Sequence, residues 1–198
     1  MNLGRLFARI TIGGLFVGHG TQKVLGWFGG PGLDGTSQMM HSLELRPGRR
    51  HATAAGLSEA AGGALLALGA LTPVAASLIT GTMVTAIRKV HFAKGPWNTQ
   101  GGYEFNVALV AAVAALVDCG PGSPSVDRAL GIEARGNMWT LAALAAGAAG
   151  SQLAIEAGRR ITEQEKALER MQQGGRFVRD GQAPEREPIG QEATRTGA

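Results

Sequence analysis

Apolar positions in this chain fall into long runs separated by short polar or glycine-rich breaks, with almost no strand-like alternation. Five runs stand out, at residues 6–25, 52–71, 74–92, 103–117 and 138–155. Each approaches the roughly 20 residues that a helix needs to cross a bilayer. Between residues 52 and 87 the only charged side chain is Glu59. The second and third runs are separated by Thr72-Pro73 alone, which forces antiparallel neighbours. Pro73 suits a first helical turn, where its missing N–H does no harm. The pattern predicts an all-α integral membrane protein: a four-helix bundle, a fifth transmembrane helix and a charged C-terminal tail.

The connections carry weaker signals. Residues 26–50 form a long link, opened by Gly29, Gly30, Pro31, Gly32 and Gly35. Within it, Met39, Met40, Leu43 and Leu45 predict a short interfacial helix over 37–45. The GPGSPSVDRALG stretch at 120–131 is rich in turn formers, with Ser125 or Asp127 as a local helix cap. Residues 161–173 read as a polar continuation of the last helix, striped by Ile161, Leu168 and Met171. Residues 174–198 are polar and rich in Gly, Pro and charge, and are expected to be disordered. The domain reading is a membrane core at 1–131, the fifth span at 132–155 and the charged extension at 156–198.

Composition alters this picture in two places. The hydrophobic share, 44%, is ordinary for a soluble protein, but the average merges apolar runs with a densely charged C-terminal part. The 31 glycines lie largely inside apolar runs, which argues for close helix packing. Gly14 and Gly18 form a GxxxG pair, and Ala143, Ala146, Gly147 and Gly150 form a small-residue face. The single cysteine, Cys119, excludes an intrachain disulfide and any CxxC chemistry. Arg5 and Arg9 ahead of an apolar stretch suggest a signal peptide. No small-residue cleavage site follows, and His19 and Lys23 stand where one belongs, so the stretch reads as an uncleaved first span.

Charge then gives an orientation. With five spans, Lys23, Arg46, Arg49, Arg50, Arg88, Lys89, Lys94, Arg159 and Arg160 share one side, and Arg5, Arg9, Arg128 and Arg135 the other. The excess places the first group, with the C-terminal tail, in the cytoplasm, although Arg5 and Arg9 oppose it. The formal charge of +4 therefore reads as topology, and no nucleic-acid partner is expected.

Alternating direction also gathers ionisable groups toward the cytoplasmic side. They are His19, Lys23, Glu59, Arg88, His91 and Glu104. Such groups in a span pair, face the bundle interior or mark a site. Lys23 and Arg88 can snorkel to the interface, and Glu104 suits the positive end of a helix. Glu59 is harder to place this way: it lies roughly 10 Å inside its run and needs a cationic or hydrogen-bonding partner. Lys23, His19 and Arg88 are the available ones. The band could bind a polar head group or carry protons. No HxxxH or ExxH pairing supports a metal, no catalytic residue is identified, and no nucleotide motif or hydrolase triad is present.

Several ordered motifs resemble the DoxX family of small bacterial membrane proteins. They are Arg9, Gly14-Leu-Phe, His19-Gly20 and Lys23; GLSEAAGGALLALGALTP from Gly56 to Pro73; the basic, His-bearing end of the third run; GGYE ending at Glu104; and GPGSPSVD ending at Asp127. The resemblance covers roughly residues 3–131. It implies a four-helix core in the bacterial inner membrane, linked to sulfur and quinone oxidoreductase systems and to oxidative-stress complexes. The expectation is a membrane component of a redox complex, with a quinone or lipid head group at the polar band. Its redox-protein partners would bind through the C-terminal extension and the small-residue faces, and the Ile161, Leu168 and Met171 stripe suits a homo-oligomer. No cofactor motif is recognisable, and quinone is the one candidate cofactor. A quinone-linked oxidoreductase subunit of thiosulfate:quinone type and a small-solute or lipid carrier are the alternatives.

Overall fold

The computed structural model describes the backbone of residues 2–179 and the side chains of residues 2–173. Those residues contain seven α-helices and no strand. Helix α1 spans Leu3–Leu25, α2 Gly32–Ser42, α3 Gly48–Leu68, α4 Thr72–Ala86, α5 Glu104–Cys119, α6 Val126–Ala129 and α7 Asn137–Arg179. The chain divides into two compact units, Met1–Thr162 and Glu163–Ala198. In the second, the described residues continue α7 as helix to Arg179. Disorder expected from residue 174 therefore does not hold over 174–179, and residues 180–198 lie outside the described residues.

In the first unit α1, α3, α4 and α5 run alternately up and down. The α1–α3 contact is built on glycine. A Cβ on Gly13 would lie 2.5 Å from the Gly63 carbonyl oxygen, and one on Gly20 2.5 Å from that of Gly56. The pairs 13/63 and 20/56 fix the antiparallel register. Residues seven apart share a helix face over two turns, so this is one continuous seam. It is not the seam expected from Gly14 and Gly18, whose added Cβ atoms would meet nothing within 4 Å. Both pairs sit in an apolar helix, and only the rotation of α1 about its axis separates them.

Other boundaries moved for identifiable reasons. The short helix expected at 37–45 starts earlier, at Gly32, with Asp34 in its first turn. A carboxylate there complements the helix dipole. The third run is not one uniform helix: α4 ends at Ala86, a π-helical turn follows at Ile87–His91, and a 3-10 turn at Phe92–Lys94. At the Thr72 end, Gly69 adopts φ +62°, and a Cβ there would overlap the Arg9 guanidinium.

Helix α7 packs its first half on α4. Gly147 abuts Ser77 and Thr80, the Thr85 hydroxyl donates to Ser151 Oγ at 2.9 Å, and further along Gly158 abuts Glu44 and Leu45. Of the expected small-residue face, Ala143 and Gly147 are buried, whereas Ala146 and Gly150 are exposed. Asn137–Gln173 is the one described helix long and apolar enough to cross a membrane by length and composition. α4 and α5 have 15 and 16 residues, too short to meet that criterion as single helices.

The main core joins Phe16, Leu66, Ala75, Ala76, Ile79, Met83, Val113, Leu116, Val117 and Ala143. A second cluster, Met40, Leu45 and Ala52, packs α2 and its link onto α3. Polarity is partly inverted relative to a water-soluble bundle. Arg9, Glu59, Thr72, Thr80, Asn106, Asp127 and Ser151 are buried, while Leu3, Phe7, Ile10, Leu15, Leu141 and Leu153 are exposed.

If the α1–α3 backbone contact sets the fold, Gly20→Ala and Gly63→Ala each destabilise it by about 1–3 kcal/mol through overpacking. Gly14→Ala leaves stability unchanged or slightly raised. Thermal unfolding of the detergent-solubilised protein distinguishes these outcomes.

Candidate functional site

The candidate site begins with the direction of helical side chains. Each leans toward the N-terminus of its own helix. Lys23, near the end of α1, leans back into the bundle. Glu59, roughly 16 Å along α3 from its start, leans toward the end where Lys23 sits. Because the helices are antiparallel, the two converge. Lys23 Nζ donates to Glu59 Oε2 at 2.5 Å. The Glu59 side chain is 6% exposed and that of Lys23 22%, so the carboxylate is enclosed and the ammonium faces the rim. Gly56 makes the approach feasible, since a Cβ there would press on Val24 and lie 3.3 Å from Lys23 Cβ. Gly62 and Gly63, which leave room beside Glu59, are filled by α4 and α1 respectively.

The other expected residues lie at the same end but hold separate partners. His19 Nδ1 meets Gln22 Oε1 at 3.2 Å within α1. Arg88 donates to Gln152 Oε1 on α7 at 2.7 Å. His91 Nδ1 lies 2.7 Å from the Gly101 carbonyl, which ties the π-helical turn to the following loop. Glu104, the first residue of α5, accepts from the Asn98 backbone N–H at 2.7 Å. The band is therefore one buried ion pair surrounded by structural ties. Among the described residues no three His, Cys, Asp or Glu side chains converge as a metal site.

Exposed aromatic side chains surround this end. Trp27 and Phe28 follow α1, Phe92 and Trp97 follow α4, and Phe105 opens α5, all largely exposed. Phe92 stacks on Tyr103 with ring centroids 6.1 Å apart. Hydrogen bonds from Arg159 and Arg160 hold the Glu156 carboxyl at about 2.

A second polar cluster, at the opposite end, was not expected from the sequence. Arg9 is 1% exposed; its Nη2 donates to the Pro124 carbonyl at 2.6 Å, while Nε and Nη1 have no hydrogen-bond partner among the described residues. Asp127, 2% exposed, supplies an opposing charge to Arg9. It accepts from Leu71 N–H at 2.7 Å, Thr72 N–H at 3.0 Å and the Thr72 hydroxyl at 2.7 Å. Asp127 thus caps α4 from far along the chain, while Ser125 caps its own short helix by accepting from Arg128 N–H at 3.3 Å. The available signal was Arg9, a cation inside an apolar run. It invites the same question of a partner as Glu59. Buried Asn106, whose amide meets Met83 Sδ at 3.3 Å, carried no sequence signal beyond being polar in a span.

The DoxX family model matches residues 4–92. That segment carries five of the six expected polar-band residues and the whole Lys23–Glu59 pair; Glu104 falls beyond it. The matched segment is just under half of the chain, and it agrees with the resemblance read from the motifs. No curated protein and no solved structure matches the chain.

Lys23→Ala, which strands the Glu59 carboxylate, should destabilise the fold by about 3 kcal/mol, and Lys23→Met with Glu59→Leu should recover most of that loss. Asp127→Ala, which removes the α4 cap and leaves Arg9 an unopposed buried charge, should lose a similar amount, and Asp127→Asn less. Unfolding midpoints of the purified variants test both series.

Proposed function

We propose that this chain is a multi-pass membrane protein serving as a non-catalytic component of a redox complex, with a polar head-group site at the Lys23–Glu59 pair. The embedding reading makes α1, α3, α4 with its π-helical turn, and α5 a four-helix membrane core, and the first half of α7 a fifth span. Only 17% of the apolar window of α7 is buried within the protein. A core helix of a water-soluble protein would be mostly covered, and a contiguous exposed apolar surface of this kind calls for lipid or a partner. The exposed Trp and Phe side chains around the Lys23 end suit a membrane–water interface.

The observation that carries the site is the asymmetry of the ion pair. An enclosed carboxylate orients an ammonium that retains access to the rim. Lys23 has donors beyond the one given to Glu59, and they can meet a quinone carbonyl or a lipid head group. The pair offers binding and proton handling without an electron carrier of its own, so electrons would come from partner proteins. The bacterial inner membrane is the location that fits a quinone pool. A cytoplasmic tail fits the charge distribution better once Arg5 and Arg9 are discounted. Arg9 is buried and bonds the Pro124 carbonyl, and Arg5 is tied through Nη1 to the Cys119 and Gly120 carbonyls.

In lipid nanodiscs the protein should bind a short-chain quinone analogue, and Lys23→Met should weaken binding about tenfold, roughly the 1.4 kcal/mol of one net hydrogen bond. A reporter fused after Gly174 should read cytoplasmic. Equal affinity of the folded Lys23→Met variant would remove the head-group site, and a periplasmic reporter signal would remove the five-span topology.

A further inference from the structure

The end of the bundle away from Lys23 carries an open cleft of about 340 Å³, bounded by the α1 start, the α5 end and the 120–135 loop. We propose that this cleft binds a phosphate ester, recognised by Arg5, Arg128 and Arg135. It is independent of the Lys23–Glu59 reading, because it lies at the other end and uses none of the same residues.

Three arginines line the cleft against one acidic residue, Glu133. That carboxylate is 3.8 Å from Arg135 Nη2, so it offsets one charge and leaves an excess of two. Arg5 is fixed in place: one terminal nitrogen, Nη1, donates to the Cys119 carbonyl at 2.6 Å and the Gly120 carbonyl at 3.2 Å. Its remaining N–H donors are uncommitted. The Arg128 guanidinium has no hydrogen-bond or ion-pair partner among the described residues. Planar guanidinium forks match the oxygens of a phosphate, and several around one cleft are the arrangement such a group requires.

The rim is shaped by glycine. Gly120 and Gly122 have φ of +75° and +72°, and added Cβ atoms would lie 3.0 Å from Arg135 Cδ and 3.1 Å from Asn2 Cβ. A side chain at either position would push on the cleft wall. The volume sits at the lower edge of ordinary small-molecule pockets and exceeds what a bare inorganic ion fills, which favours an ester with an organic part. That chemistry has two sources, a soluble phosphate monoester and the head group of an anionic phospholipid.

Cys119 lines the same cleft, is exposed and is the only cysteine in the chain, so its alkylation reports occupancy without any engineered label. The full-length protein in a neutral detergent is treated with a maleimide at fixed ionic strength. The additions are glycerol 3-phosphate, short-chain phosphatidylglycerol or matching chloride. The expected result is slowing of Cys119 modification by about threefold or more with one or both phosphate compounds, and none with chloride. Protection by the monoester identifies a soluble ligand, and protection by the phospholipid alone identifies a head group. Arg128→Gln with Arg135→Gln should abolish protection with little change in the unfolding midpoint, since Arg128 has no structural partner and the Arg135–Glu133 pair is long and exposed. The inference is overturned if neither compound slows modification, if chloride does so equally, or if protection survives in the double variant.

Discussion

Two carbonyl-to-glycine approaches, at 13/63 and 20/56, hold α1 and α3 closer than any side-chain interface would allow. The rest of the first unit depends on that spacing. Contact at this distance gains dispersion energy over the full length of both helices, and it requires no polar pairing along the seam. It also sets the register that carries Lys23 toward Glu59. A shift of one turn would move the ammonium about 5 Å along the axis and leave the carboxylate stranded. The buried charge pair is thus a consequence of the glycine seam as much as a contributor to the fold.

At its far end the same seam delivers Arg9 to the Gly69–Thr72 turn. There a cation, a carboxylate and a left-handed glycine form a single knot. The 120–135 segment, irregular apart from a single short helix, is anchored through it: Asp127 donates its own N–H to the Gly69 carbonyl at 2.9 Å while its side chain caps α4. A loop rich in Gly and Pro is thereby tied to the helix ends at Asp127 and Pro124. The same segment contributes Arg128 and Arg135 to the wall of the cleft.

The helices and the antiparallel α3–α4 pair were legible because long apolar runs and a two-residue turn leave few alternatives. That Glu59 needs a cationic neighbour was also legible, from the scarcity of charge around it. Which cation answers was not, because it depends on the relative rotation of two helices that are apolar on most faces. The same ambiguity misassigned the seam to Gly14 and Gly18. Asp127 was read as a local cap because its true partners, Leu71 and Thr72, lie more than fifty residues away, and short motifs carry no information at that range. Arg9 entered the topology vote as an ordinary basic residue, although burial removes it from any contact with the membrane surface.

The buried face of α7 has a handedness. Ala143, Gly147, Ser151 and Ile155 are spaced by four, then Gly158 by three, and Thr162 by four again. Steps of four overrun the 3.6-residue turn, so the contact line winds around α7 by roughly 40° per step before the single step of three sets it back by about 60°. The helix consequently crosses its support obliquely, meeting α4 first and the Glu44–Leu45 corner afterwards. The step of three acts as a phase correction that lets one helix serve two unrelated surfaces. An inserted residue between Ser151 and Gly158 would swing everything beyond it by roughly 100°. Gly158 and Thr162 would then leave the Glu44–Leu45 corner, though neither residue had changed.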